Sequence, residues 1–120
     1  MPTATGHTAA IRASKVIGTD VLNKAGENIG KVEDIVLDKN TSQIMFAVLS
    51  IGGAVTTSEN FYPLPWAVLD YDKDAGGYLV PFTKDQIVKG PADSMSALIK
   101  DDGAGARTAA YGHYKVAKDW

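Results

Sequence analysis

A chain of 120 residues has the length of one domain, and its 45% apolar and 22% charged residues argue against a disordered one. Twelve Lys and Arg against fourteen Asp and Glu leave a net charge of −2, without the basic excess that marks a dedicated nucleic-acid binder. The absence of cysteine excludes disulfides, thiolate metal sites, iron–sulfur clusters and Cys nucleophiles together.

Residues 1–13 are small and polar without a period and read as a flexible N-terminal arm. Val16-Ile17-Gly18 and Val21-Leu22-Asn23 flank a first short strand, and the turn at Lys24-Ala25-Gly26-Glu27-Asn28 places Gly26 where a positive φ is needed. Ile29 to Asp38 reads as a β-branched strand, with Gly30 as the mark of a bulge. After the polar turn at residues 39–43, Ile44 to Ile51 is a strand apolar on both faces. Such a strand needs cover on each side: a core within, and a helix, tail or partner without. Gly52 to Asn60 reads as a flexible loop. Phe61-Tyr62-Pro63-Leu64-Pro65-Trp66 is extended, because residues before proline are pushed out of the helical region, and two prolines confine it to an edge or corner. The sequence continues it through Asp70, turns at Asp72 to Gly77, and enters a last strand at Tyr78 to Phe82.

Helical signals follow. Thr83 and Gln86 have the spacing of a capping box, and Gly90-Pro91 stops that helix after barely two turns. A second short helix fits Ser94 to Lys100, with Met95, Leu98 and Ile99 on one face. Asp101 to Gly105 reads as a linker, and Thr108 to Trp120 as a tail rich in aromatic residues. The whole predicts a mainly β protein: a small barrel of about six strands, one or two short C-terminal helices and an aromatic tail.

Chemical motifs are sparse. Asp70, Asp72 and Asp74 match the first ligands of a calcium loop, but the loop's obligatory Gly and bidentate Glu positions hold Ala75 and Pro81. A charged hairpin turn accounts for them. Glu33 and Asp34 are adjacent on a strand and point to opposite faces, so they do not converge as an acid–base couple. His7 and His113 lie far apart in the arm and tail. No nucleophile-elbow, phosphate-loop or dinucleotide pattern occurs, so no catalytic residue, metal ligand or cofactor is assigned and the chain reads as no enzyme. The aromatic residues carry more. Phe61 and Trp66 are candidate core or corner anchors, with Gly26 and Gly30 as backbone anchors. Tyr111, Tyr114 and Trp120 either pack on the barrel wall or form a protein-contact surface, and they are the interface candidates, because Tyr and Trp dominate interface hot spots.

Val21 to Ile35, with its Gly26-Glu27 turn and its Ile29-Gly30-Lys31-Val32-Glu33-Asp34 strand, resembles the opening of PRC-barrel domains. Tyr62-Pro63-Leu64-Pro65-Trp66 resembles a later strand of that family, and the run from Gly90-Pro91 to Tyr114 is similar to the ends of stand-alone bacterial members. The resemblance covers residues 14–90 and, more loosely, the extension at 91–120. It implies a barrel of about six strands. The family's better-known members, the cytoplasmic domain of the photosynthetic reaction-centre H subunit and the C-terminal domain of a ribosome maturation factor, bind protein partners. This chain lacks the membrane helix of the first and the N-terminal domain of the second, so neither activity transfers.

The sequence therefore points to a non-catalytic scaffold module that self-associates, as a homodimer covering its apolar wall, or docks on a larger complex. An RNA or ribosome assembly accessory is the alternative; it requires Lys24, Lys31, Lys39 and Lys73 to cluster, and no direct nucleic-acid contact is expected from the charge. A small-ligand or metal-binding barrel ranks behind both, because six-stranded barrels are filled by side chains. With no signal-peptide core and no run of ~18 apolar residues, the default compartment is the cytoplasm, and any membrane association would be peripheral and through a partner.

Overall fold

A computed structural model describes residues 10–51, 60–118 and 120. Residues 1–9, most of the predicted arm, and 52–59, most of the predicted loop, lie outside them, and His7 with them. A one-turn helix α1 (Ala13–Val16) stands where the sequence was read as arm and strand flank, and its Val16 is buried. Six strands follow among the described residues: β1 (Asp20–Leu22), β2 (Asn28–Leu37), β3 (Ile44–Ile51), β4 (Tyr62–Leu64), β5 (Asp70–Asp72) and β6 (Gly77–Leu79). They form one mixed sheet in the order β4-β3-β2-β1-β6-β5, with β1 and β6 parallel and the other pairs antiparallel.

Among the described residues the sheet is not closed by hydrogen bonds, yet it must curl. Six flat strands about 4.8 Å apart would hold their outer edges about 24 Å from each other. Leu64 on one edge and Asp70 on the other are joined by five residues, three of them (Trp66–Val68) wound into a 3-10 turn. That link reaches at most about 18 Å. The predicted barrel is thus a curled sheet with its gap bridged by the turn at Trp66. The extended course expected from Ala67 to Leu69 is broken by this turn.

Bulges set which side chains face inward. The pairing skips Ile29 beside Gly30, Glu33 in β2 and Met45 in β3. A skipped residue reverses the alternation of a strand. Val32 and Ile35, an odd number apart, therefore join the same core, and Met45 joins the face of its neighbour Phe46. A Cβ on Gly30 would collide with the Ser50 carbonyl oxygen, so only glycine permits β2 and β3 to approach there. Gly26 has φ +86°, as its turn requires.

The helical part exceeds expectation. α2 (Lys84–Val88) has both bonds of the capping box, Thr83 Oγ1 accepting from Gln86 N–H and Gln86 Oε1 from Thr83 N–H. α3 (Met95–Leu98) starts at the predicted Ser94 cap but is shorter than predicted. The predicted linker and tail instead hold a left-handed turn at Asp101, Asp102 and Gly103, followed by helix α4 (Ala104–His113). Its buried residues Arg107, Ala110 and Tyr111, with Tyr114 just beyond, recur at i, i+3, i+4 and i+7.

Two apolar clusters result among the described residues. One, on the concave side, joins Val16, Val21, Ile29, Val32, Leu49, Leu64, Tyr78, Val80 and Ile87 to Ala110 and Tyr114 of the C-terminal segment. The other covers the opposite face of β3: Met45, Phe46 and Val48 beneath Leu98, with Phe61, Met95 and Ala106 at its margin. The apolar outer wall of β3 is thus covered by the chain's own helices.

Candidate functional site

The residues singled out in the sequence fall in different places. Phe61 is half-buried beside the outer cluster and exchanges two backbone hydrogen bonds with Asp93. Trp66 is half-buried and meets Tyr78 edge-on at 6.0 Å. Two of the three candidate contact residues, Tyr111 and Tyr114, are buried in this chain rather than offered to another. The helical period of α4 turns them inward. Trp120 remains half exposed. It lies over Arg107, 4.0 Å from the guanidinium carbon to the ring centre, and edge-on to Tyr111 at 4.7 Å. Arg107, itself buried, donates to Gln43 Oε1 at 3.1 Å and stands 4.0 Å from Asp38. Backbone N–H groups of Asn40 and Thr41, with Arg107 behind them, hold the Asp38 carboxyl below its ordinary pKa. This constellation fastens the end of the chain to the β2–β3 turn.

The acidic motifs serve the backbone. Asp72 Oδ1 accepts from the N–H groups of Asp74 and Ala75 at 2.9 and 3.2 Å, as a turn aspartate does. Glu33 Oε1 accepts from the Ser50 hydroxyl at 2.9 Å, and Asp34 from the Ile35 N–H at 2.8 Å. Among the described residues no group of three or more His, Asp or Glu is placed to hold a metal ion. Lys24 and Lys73 lie in separate hairpin turns, Lys39 in a third, and Lys31 pairs with Glu33 at 3.8 Å.

A groove opens where β6 runs into α2. One recess of about 200 Å³ lies between the β1–β2 turn (Asn23, Lys24, Ala25) and Val80 to Thr83. A second, of about 280 Å³, lies between α2 and the end of α4, lined by Lys89, His113, Tyr114 and Lys115. Phe82 and Gln86 border both, so the two recesses adjoin. Gly90 lets the end of α2 meet α4, since a Cβ there would stand 2.7 Å from the His113 ring. His113 Nε2 donates to the Gln86 carbonyl oxygen at 2.9 Å, and Phe82 lies against Tyr114 with ring centres 4.7 Å apart. Burial, with Tyr62 nearby, raises the Tyr114 pKa far above its ordinary value, so the phenol stays protonated. Its hydroxyl is buried and has no hydrogen-bond partner among the described residues.

The end of α4 is a Schellman motif. The N–H of Val116 reaches the Tyr111 carbonyl at 2.9 Å and that of Lys115 reaches Gly112 at 3.3 Å. The residue in the left-handed position, usually glycine, is Lys115 at φ +56°. Sequence reasoning missed the groove because its walls come from three separated segments, each ordinary alone. The one available signal was Tyr111 and Tyr114 continuing the period of Arg107 and Ala110, which would have brought His113 and Lys115 to the end of a helix.

A family model described as the PRC-barrel domain matches residues 9–87. No curated protein matches the sequence. No described helix is long and apolar enough to cross a membrane.

Proposed function

This chain belongs to the PRC-barrel domain family, and on that premise we propose that it is a non-catalytic docking module that binds another protein through the groove between β6, α2 and the end of α4. PRC-barrel domains are generally non-catalytic. The observation that carries the reading is the combination of an apolar floor at Phe82 with a rim of exposed polar and cationic side chains, the composition of a contact surface. Docking on a different protein is favoured over docking on a second copy, because the wall of β3 that would have driven self-association is already covered by α3 and α4.

Site-specific photo-crosslinking tests it in native lysate. A crosslinker replacing Gln86 should trap a discrete protein adduct, and one replacing Lys73, in the β5–β6 turn, should not. A nuclease-sensitive adduct at Gln86 would instead establish an RNA-assembly role. Adducts of the chain with itself would establish the homodimer.

A further inference from the structure

We infer that the groove receives an acidic segment of the partner, an extended stretch in which carboxylates flank an aromatic or aliphatic residue. This rests on the docking reading and names its occupant.

Three features converge. The first is charge. Although the chain as a whole is acidic, the residues lining the two recesses include Lys24 in one and Lys89 and Lys115 in the other, and none of the described lining residues is acidic. Lys89 is held by Asp85 at 2.9 Å, whereas Lys24 and Lys115 have no ion-pair partner among the described residues. Glu27, in the same turn as Lys24, accepts from the Asn23 side-chain amide at 2.9 Å. Cations in each recess, with Phe82 shared between the two, complement carboxylates on either side of an apolar anchor.

The second is Tyr114. Its ring lines the groove and its hydroxyl is a protonated donor that no described residue satisfies, beside Gly90 and the His113 ring. A buried donor left unmade is costly, and an occupant that parted α2 from α4 at Gly90 would supply the missing acceptor. The third is Lys115. A Schellman motif takes glycine at this position with least strain. Lysine there adopts φ +56° and sends a cationic chain into the groove lining. A residue held in a disfavoured conformation at a recess is where stability and binding part company. Nucleic acid is the weaker occupant, since few cations line the two recesses and the rings of Phe82 and Tyr114 pack on each other at 4.7 Å.

The test uses the full chain and a fluorescein-labelled peptide, Glu-Glu-Glu-Phe-Leu-Glu-Glu-Glu, with a second peptide carrying Lys for every Glu. Amide shifts on titration should centre on Phe82, Gln86, Lys89 and Lys115. Affinity should fall about tenfold between about 0.05 and about 0.5 M salt as the charges are screened. Lys115→Gly is the discriminating variant: it should raise the thermal unfolding midpoint by relieving the backbone, yet weaken the acidic peptide several-fold. Lys73→Gln, away from the groove, should bind unchanged. The inference is overturned by an absence of binding at millimolar peptide, by equal binding of the lysine peptide, by shifts mapping to another face, or by full affinity in a well-folded Lys115→Gly. Inorganic phosphate moving the same amides as strongly as the peptide would also overturn it, in favour of a small anion. If Gln86 crosslinks to a protein while the peptide fails, the acidic occupant falls and docking stands. If no adduct forms at Gln86, both fall.

Discussion

The strands between Asp20 and Leu79 satisfy their backbone groups by pairing with one another, whereas the helices between Lys84 and His113 are four or five residues long except for α4. Helices of one turn are unstable alone, because nucleation costs more than so few hydrogen bonds return. α2 and α3 persist through side-chain caps at Thr83 and Ser94 and through one buried anchor each, Ile87 and Leu98. The helical segment is thus held by the sheet. The sheet in turn depends on the helical segment to cover Phe46 and Val48 on one face and to supply Ala110 and Tyr114 on the other. The region that the family model matches and the region beyond it share both cores, and the groove lies on their seam.

Three perturbations probe that mutual dependence. Phe46→Ala removes a fully buried ring from under Leu98 and should cost about 3–5 kcal/mol in urea unfolding, with amide exchange in α3 and α4 rising first. If exchange rises equally in β1 and β6, the two regions are one cooperative unit. Arg107→Ala leaves Gln43 and Asp38 without their guanidinium and Trp120 without its stacking partner, and should cost about 2 kcal/mol. Trp120 fluorescence should then shift to the red as the chain end leaves the β2–β3 turn. The smallest effect is acid sensitivity. The Asp38 carboxyl titrates below its ordinary 3.8 in the folded chain, so its contribution is present above that value and is lost as pH falls through the folded one. Below about pH 4 the natural chain should lose stability faster than Asp38→Asn, and parallel urea midpoints for the two would remove this assignment.

Much of the sheet was legible in the residues. The limits of β3, the Gly26 turn and the Thr83–Gln86 box follow from local chemistry, and local chemistry is what one sequence displays. The need for an outer cover on β3 was legible too, but its identity was not. α4 escaped because Gly105, Thr108 and Gly112 are poor helix formers and its buried stripe begins with an arginine, whose burial depends on Gln43 and Trp120 arriving from elsewhere. The turn at Trp66 escaped for a similar reason. An X-Pro-Leu-Pro run reads as extended, and only the need to join two opposite sheet edges within five residues bends the chain after it. The groove required knowing that three separate segments meet.

The parallel pairing of β1 with β6 has a consequence for the growing polypeptide. β1 finds β2 within a few residues, but its other neighbour arrives only when Tyr78 and Leu79 do. Roughly sixty residues of further synthesis, about 3–12 s at usual translation rates, must pass with that edge of β1 open. Through that interval the nascent chain presents an unpaired strand edge, the feature most prone to pair wrongly with a neighbour. β1 is only three residues long and opens with a charged aspartate, which limits how far such mispairing could extend.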